Sequence, residues 1–142
     1  MAKILKISGE AIDESLQGVT RQYLVGKLQQ PQALSHIPNG TLEIGITRYG
    51  PEGGRELPHK HRQAVESQYM VAGVTAYLNT ETGEEYVFRK GDFYLIEPGV
   101  AYAQKSDPNT EILFIKVPPG NDKIPIDPTV EVQAWFDRPM PA

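Results

Sequence analysis

Turn signals recur along the chain at short intervals and leave only short segments between them. They consist of glycine or proline beside a turn-forming partner and occur at Asn39-Gly40, Gly50-Pro51, Gly53-Gly54, Thr82-Gly83, Lys90-Gly91, Pro98-Gly99 and Asp107-Pro108. The intervening segments are rich in valine, isoleucine, tyrosine and phenylalanine, which are enriched in strands. This pattern predicts an all-β fold, either an antiparallel sandwich or a small barrel.

The segments between the turns predict the individual elements. Strands are predicted at residues 1–7 (an edge strand), 20–28, 42–49, 68–78, 84–89, 93–96, 102–105 and 111–117, and a helical turn at 11–18. Residues 93–96 are apolar on both sides of the strand, so both faces are predicted to be buried. The last hydrophobic segment, with Val130, Val132, Trp135 and Phe136, is predicted to pack on its own barrel or on a second subunit.

Length and composition exclude several classes of protein. A chain of 142 residues has room for one domain and one core. Fourteen basic and 18 acidic residues give a net charge of -4 without a basic cluster, which argues against a nucleic-acid partner. No apolar run has the length of a membrane span or a signal peptide. The lack of cysteine excludes disulfides and thiolate ligands; it is compatible with the cytoplasm, the expected location, and leaves the periplasm open.

Two histidines and a glutamate form the clearest candidate site. His59 and His61 are two residues apart, so an extended strand would place both imidazoles on one face. Glu66 follows after a short polar connection and can return on a neighbouring strand. Two imidazoles and one carboxylate suit a divalent ion such as Fe, Mn, Ni or Zn and leave coordination positions open for catalysis. By itself the histidine pair fits a polar, exposed strand edge or a pair satisfied by ordinary hydrogen bonds, but with Glu66, Gly53 and Gly73 in register we favour a metal site.

The spacing of these residues also carries a family resemblance. Gly53, His59, His61, Glu66 and Gly73 match the first signature motif of the cupin superfamily. The chain thus resembles a small single-domain cupin. The resemblance implies one double-stranded β-helix, or jelly-roll barrel, spanning residues 1–142. Its core would cover about residues 40–118, and the terminal segments would pack on the barrel or on a dimer partner.

The second cupin motif matches in part, over the segment that begins at Gly91. Glu97 replaces the usual proline, and Tyr102 replaces the last histidine that binds metal in the family. A phenol has a reference pKa of about 10 and is a poor metal ligand unless that pKa is lowered. Three roles are therefore open for Tyr102: a phenolate ligand, a proton donor or acceptor, and a side chain that fills the space of a histidine. We favour the second role.

Four further residues complete the predicted pocket. Gln68 lies two residues after Glu66 and is either an additional ligand, a hydrogen-bond donor beside the site, or a structural amide. Arg48, Met70 and Gln104 are predicted to line the pocket with Gln68. His36 lies in a loop and is expected to be unconnected with the metal.

Two classes of function follow from the resemblance. The first is an enzyme, a metal-dependent isomerase, lyase or dioxygenase acting on a small oxygen-rich molecule, either carbohydrate-like or an organic acid. The segment 116–123 is similar to small cupins of sugar and surface-polysaccharide metabolism, which ranks carbohydrate-like substrates first. The second is a non-catalytic protein that binds or senses a small ligand or a metal. The apolar termini and the resemblance together predict a homodimer.

Overall fold

The structure is a computed structural model that describes residues 1–141. It contains two short helices and eleven strands. In chain order these are α1 (Gly9–Ser15), β1 (Arg21–Gly26), β2 (Ile37–Pro38), β3 (Glu43–Arg48), β4 (Gly54–His61), β5 (Val65–Ala72), β6 (Val74–Asn79), β7 (Glu85–Arg89), β8 (Phe93–Ile96), β9 (Tyr102–Ser106), β10 (Glu111–Val117), β11 (Lys123–Pro125) and α2 (Val130–Asp137). The prediction of an all-β fold is confirmed.

The strands form two sheets that face each other. Sheet A has the order β2-β1-β3-β10-β5-β8, and sheet B has the order β11-β4-β9-β6-β7. Neighbouring strands are antiparallel, except that β1 and β2 are parallel. A cluster of mostly aromatic side chains fills part of the space between the sheets, namely Tyr49, Met70, Tyr77, Tyr94, Tyr102 and Ile112. The remaining space is a polar cavity.

The two glycines of the first cupin motif are required by close backbone contacts. Gly53 has a φ of 71°, and a Cβ there would lie 2.4 Å from the backbone oxygen of Ser106. Gly73 has a φ of 81°, and its Cβ would lie 2.3 Å from Oγ1 of Thr110. Both positions combine the left-handed region with a steric clash, so only glycine fits. Gly73 also separates β5 from β6, where the sequence predicted one strand over residues 68–78.

Two other predictions about the elements are corrected. Residues 1–7 form no strand, and Ile4 is 99% exposed, because nothing in its own chain covers the segment. The strand at residues 93–96 is buried on one face only: Phe93 and Leu95 are 64% and 52% exposed, while Tyr94 is buried between the sheets. Apolar composition showed that both faces can be buried, but not what would cover the outer one.

The C-terminal segment packs on its own barrel. Helix α2 places Val132 and Trp135 against Ala76, Leu78 and Ala103 on the outer face of sheet B. Trp135 is only 2% exposed. No helix within residues 1–141 is long and apolar enough to cross a membrane.

Candidate active site

A cavity of about 380 Å³ lies between the sheets and opens at one end. Its wall is polar and combines both signs of charge. Among its lining residues are the cationic Arg21, Lys27, Lys116 and Lys123, the carboxylates Glu43, Glu56 and Glu66, and the uncharged polar residues Gln68, Tyr102 and Gln104, together with His61. This composition suits a small molecule with several oxygen atoms.

Strand β4 supplies both predicted histidines. His59 and His61 are 4% and 5% exposed, and their ring centroids are 5.3 Å apart. The Nδ1 of His59 lies 2.8 Å from the carbonyl oxygen of Leu57, which can only accept, so this nitrogen is the protonated one. The Nδ1 of His61 lies 2.7 Å from Oδ1 of Asp122. The Nδ1 contact therefore fixes the orientation of each ring, and the Nε2 atom points toward other residues of the site.

The two Nε2 atoms contact Glu66 and Tyr102, which come from different sheets. The Nε2 of His61 lies 2.5 Å from Oε1 of Glu66 on β5. The Nε2 of His59 lies 3.0 Å from the hydroxyl of Tyr102 on β9, whose backbone is paired with His59. The Tyr102 hydroxyl also lies 3.1 Å from Oε1 of Glu66. One hydrogen-bonded chain therefore runs from Asp122 through His61, Glu66 and Tyr102 to His59.

The hydrogen-bonded chain from Asp122 to His59 has fewer protons than would be needed for every contact in it to be a hydrogen bond. His61 sits between two carboxylates and is satisfied as a cation that donates from both nitrogens. Tyr102 has one hydroxyl proton and two acceptors, the Nε2 of neutral His59 and the carboxylate of Glu66. That proton can serve either acceptor but not both. The Tyr102 hydroxyl is therefore the shared link between His59 and Glu66.

The positive charge of His61 and the negative charges of Glu66 and Asp122 stabilise each other. Burial by itself would lower the pKa of His61, but the hydrogen bond and charge of Glu66, and then those of Asp122, raise it. Burial would likewise raise the pKa of Glu66, and the contact with His61 lowers it. The pKa of Asp122 is also lowered: burial opposes this, but the backbone N–H groups of Gln63 and Ala64 and the His61 ring outweigh it.

Tyr102 and His59 are both held in their neutral forms. Burial raises the pKa of Tyr102 well above its usual value, and the charges of Glu66 and Glu56 raise it further. Burial lowers the pKa of His59. A phenol with a raised pKa beside carboxylates is a hydrogen-bond donor rather than a phenolate. This environment favours the second of the three roles considered for Tyr102.

Two residues of the site were missed by sequence reasoning because irregular backbone places them there. Asp122 lies between β10 and β11, in a segment that turns back so that β11 pairs with β4. Glu56 faces the cavity because the pairing of β4 with β9 shifts register between Glu56 and His59. Strict alternation would have turned Leu57 inward, but Leu57 is 57% exposed. The only sequence signal was the acidic character of both residues.

Glu56 is paired with a further residue that the sequence did not single out. Its Oε1 accepts a 2.9 Å hydrogen bond from Arg21, and its Oε2 lies 3.6 Å from the Nε2 of His59. Arg21 also donates from Nε to Thr47, and its guanidinium lies 5.2 Å from the centre of the Phe114 ring. A guanidinium has five N–H donors, and two serve these contacts. Arg21 therefore has donors left on the cavity wall.

The structure brings Gln68 and Gln104 to the cavity and leaves Met70 and Arg48 away from it. Gln68 donates to Oε2 of Glu66 at 3.2 Å and accepts from Tyr94 at 2.7 Å, so it holds the carboxylate. The Gln104 amide is engaged by Tyr49, Thr75 and Ser106. Met70 is fully buried among the aromatic side chains of the core.

Arg48 lies on the outer side of sheet A. Alternation along β3 turns Thr47 into the cavity and Arg48 away from it. Its guanidinium pairs with Glu111 and, at 3.0 Å, with Asp13 of α1. The predicted pocket residue thus joins α1 to the sheet. His36 also lies apart from the cavity between the sheets, as expected.

The donor types suit a divalent metal, but their arrangement does not form a metal site. In favour of a metal, each histidine has its Nδ1 held by an acceptor, as metal-binding histidines usually do. Donors about 2.1 Å from one ion lie roughly 3 Å apart when their bonds are perpendicular. The 2.5 Å separation of His61 Nε2 and Glu66 Oε1 is shorter than this, so the two side chains contact each other directly. Within residues 1–141, no group of three His, Cys, Asp or Glu side chains is placed to hold an ion.

Solved structures match this fold at low sequence identity, whereas no protein-family model and no curated protein matches. KdgF from Halomonas sp. is 17% identical with a TM-score of 0.54, over 72% of this chain and 80% of that one. The polyketide cyclase RemF from Streptomyces resistomycificus is 14% identical with a TM-score of 0.56, over 71% of each chain. An RmlC-like cupin from Shewanella frigidimarina is 20% identical with a TM-score of 0.50, over 59% of this chain and 72% of that one.

These similarities agree with the sheet topology and with the motif that begins at Gly53. The chain therefore has the cupin fold, the double-stranded β-helix.

Proposed function

We propose that this protein is an enzyme that moves a proton on a small oxygen-rich molecule, by isomerisation or by elimination. The observation that carries the proposal is the hydrogen-bonded chain of Asp122, His61, Glu66, Tyr102 and His59 beside the cavity. Groups whose environments push their pKa values in opposite directions are typical of acid–base sites. Here the pKa is lowered for Glu66 and raised for Tyr102, and the two side chains touch.

The proposed roles follow from which group holds a proton. Glu66 is ionised and accepts a proton from a carbon beside a carbonyl group of the substrate. Tyr102 is protonated, and its single hydroxyl proton, for which His59 and Glu66 compete in the free protein, is donated to a substrate oxygen. The 3.1 Å contact between Glu66 and Tyr102 then lets the proton pass directly from the carboxyl to the phenol. This proton transfer returns Glu66 to its ionised form and Tyr102 to its protonated form without an external acid or base.

The lining of the cavity supports an organic acid or a carbohydrate-like acid as the substrate. Arg21 has unused donors, and Lys116 and Lys123 lie on the wall near His61 and Glu66. These cations can bind a substrate carboxylate, and the amide and hydroxyl groups can bind its other oxygens. One similar structure is named a polyketide cyclase, so this fold also carries enzymatic chemistry on small molecules elsewhere.

A second candidate function is a divalent metal centre at His59, His61 and Glu66. It is favoured by the two Nδ1 contacts, which leave the Nε2 atoms facing Tyr102 and Glu66 on the wall of the cavity, called the cup below. Binding would require the hydrogen bond between His61 and Glu66 to open. A bound ion would supply Lewis-acid chemistry, and the same cup could also hold a metal or a ligand without catalysis.

Deuterium exchange tests the first proposal directly. The protein, purified without a metal-affinity tag and treated with chelator, is incubated in D2O with a panel of hydroxy acids and sugar acids. We expect NMR to detect deuterium entering the carbon beside the carbonyl of at least one compound. Tyr102→Phe should lower the exchange rate at least 100-fold, in line with general acid–base catalysis. Met140→Leu, far from the cavity, is the control.

Metal analysis separates the two candidates. Stoichiometric metal in the purified protein that is lost in His59→Ala, together with exchange that requires the metal, would support the second candidate. Exchange that persists in chelator would support the first. Binding of a compound without exchange, unaffected by Tyr102→Phe, would favour the non-catalytic alternative.

A further inference from the structure

Two lysines on the wall of the cavity have no partner in their own chain. Lys27 and Lys123 both line the cavity and are both exposed. Within residues 1–141, neither ammonium group takes part in a hydrogen bond or a salt bridge; only the backbone N–H of Lys123 donates, to the side chain of Asn121. Both positive charges are therefore available to a ligand that enters the cavity.

The other charged side chains of the wall are matched with each other. They form three groups: Arg21 with Glu56, His61 with Glu66, and Lys116 and Glu43 with the backbone of Gly120. In the third group, Lys116 donates to the carbonyl oxygen of Gly120 and Glu43 accepts from its N–H. Each group combines a cation with a carboxylate. The charges of the two free lysines are thus not balanced by a carboxylate of the wall.

Lys27 lies at the end of the cavity where β1 ends. It directly follows Gly26, where a Cβ would lie 3.1 Å from Cγ of Glu43. Glu43 therefore marks the level of Lys27 along sheet A. Lys116 is paired in register with Glu43 on one side and with Glu66 on the other, so Glu66 lies at that level as well.

Lys123 lies at the same level on the opposite sheet. It is paired with His61 in the register of β11 and β4, and His61 contacts Glu66. The two lysines thus reach the same end of the cavity from opposite sheets. Two ammonium groups in this arrangement can bind one anionic group, either a carboxylate or a phosphoryl group.

Arg21 marks the other end of the cavity. It is paired in register with Thr47, which is four positions after Glu43 on β3. At about 3.3 Å per residue, the two levels are roughly 13 Å apart along the strand. Hydrogen bonds to Thr47 and Glu56 hold the guanidinium at its own end. Its remaining donors can therefore bind a second anionic group, separate from the one between the lysines.

The acid–base groups lie between these two ends. Tyr102 is paired with His59, which lies between Glu56 and His61 on β4. Glu56 contacts Arg21 at one end, and His61 lies at the end of the two lysines. A ligand that bound at both ends would pass its middle carbon atoms beside the Tyr102 hydroxyl.

We infer that the substrate is a dianion: a carboxylate at one end binds Arg21, and a second anionic group, a carboxylate or a phosphoryl group, binds Lys27 and Lys123. The inference rests on the proposed function and deepens it, because it names the charge of the substrate and the residues that select it.

Calorimetric titration of the chelator-treated protein with matched ligands tests the inference. Each dicarboxylate from succinate to pimelate is compared with the monocarboxylate of equal carbon number, and phosphoglycerate is compared with glycerate. We expect at least one dianion to bind roughly tenfold more tightly than its monoanionic partner. The pair with the larger difference distinguishes a carboxylate from a phosphoryl group as the second anionic group.

Variants assign the preference to individual side chains. The double variant Lys27→Gln/Lys123→Gln should lose the preference for the dianion and keep the affinity for the monoanion. Arg21→Lys retains the charge but not the planar fork, so it should weaken the binding of both ligands. The matched control is Lys90→Gln, an exposed residue between β7 and β8 that does not line the cavity. Added salt should weaken the dianion more than the monoanion, because the ammonium groups are exposed.

Equal affinity within every pair, or no binding of any dianion, would overturn the inference. A preference that survives the double lysine variant, or that Lys90→Gln removes equally, would also overturn it. Deuterium exchange separates this result from the proposed function. Exchange without a preference for dianions would overturn the inference alone, whereas a preference for dianions without exchange would support the two anion sites and contradict the proposed proton transfer.

Discussion

The inner faces of the two sheets both contribute residues to the site. Their outer faces differ, because one is covered by the chain and the other is exposed. Sheet B contributes His59, His61 and Tyr102 to the site, and sheet A contributes Glu66. On the outside, sheet B is covered by α2, whereas sheet A exposes Phe93 and its neighbours. The chain thus completes one side of its core with its own C-terminal helix. The comparison shows that the inner faces of both sheets supply the residues of the site. The outer faces differ in whether a segment of the same chain covers their apolar side chains.

The largest effect is expected where α2 closes sheet B. Trp135→Ala should lower the free energy of unfolding by about 3–5 kcal/mol, because it removes a buried aromatic side chain and leaves a cavity. It also removes the 2.6 Å hydrogen bond to Glu85 and the ring beneath the Lys105 ammonium group. Urea denaturation measures the change. Val130→Ala, at an exposed position on the same helix, should change it by less than about 0.5 kcal/mol. Equal losses would mean that α2 does not close the core.

A smaller loss is expected inside the cup, on the side of sheet B. Asp122→Ala removes the acceptor for His61 and for the backbone N–H groups of Gln63 and Ala64. We expect a loss of roughly 1.5–3 kcal/mol, the usual range for hydrogen bonds to charged groups. It should also reduce deuterium exchange, because the His61 ring is no longer held. Asp107→Ala is the control, and unchanged stability and exchange in Asp122→Ala would mean that Asp122 does not position His61.

The pH dependence of stability should reflect the same group of charges. The raised pKa of His61 stabilises the fold below its usual value of 6.5, and this contribution is lost as the pH rises through the folded value. The lowered pKa of Glu66 stabilises the fold above its usual value of 4.5, and this is lost as the pH falls. The cup should therefore contribute most between about pH 4.5 and 6.5. Unfolding of the wild type and of Glu66→Gln across pH 3–9 would show it; parallel curves would contradict it.

The smallest effect on the folded monomer is expected on the outer side of sheet A, where Phe93 is exposed. Phe93→Ser should change the unfolding free energy of the dilute protein by less than about 0.5 kcal/mol, since the side chain is mostly solvated there. The homodimer predicted from the sequence should stabilise the wild type at high concentration by mass action, and it should not stabilise the variant if Phe93 lies in its interface. Thermal unfolding across a wide range of protein concentrations measures this. A wild-type midpoint that does not move with concentration would remove the contrast between the two sheets.

Local patterns predicted much of the fold and the centre of the site. Turn signals and strand composition predicted the all-β class, and most predicted strands are present. The i, i+2 spacing of His59 and His61 placed both rings on one side, because strand alternation is a local property. The motif spacing brought Glu66 and Tyr102 to the same cup. These inferences succeeded because each depends on a few consecutive residues and a regular strand.

The remaining features depend on contacts between distant segments. A bulge in β4 turns Glu56 inward, and the return of the chain after β10 brings Asp122 to His61. Arg48 points away from the cavity because β3 turns its neighbour Thr47 inward, and its guanidinium pairs with Glu111 on the outer side. Whether His59, His61 and Glu66 bind a metal stays a prediction.

The sequence by itself determined the turns, the strand alternation and the histidine pair, since these follow from backbone sterics and from residue spacing. It also determined that residues 93–96 are apolar on both faces. Only the tertiary structure decided that one of those faces stays open, because burial depends on which segment packs there, and α2 packs on the other sheet. It also decided that the tyrosine in place of a histidine shares its proton between His59 and Glu66, which no spacing rule could show.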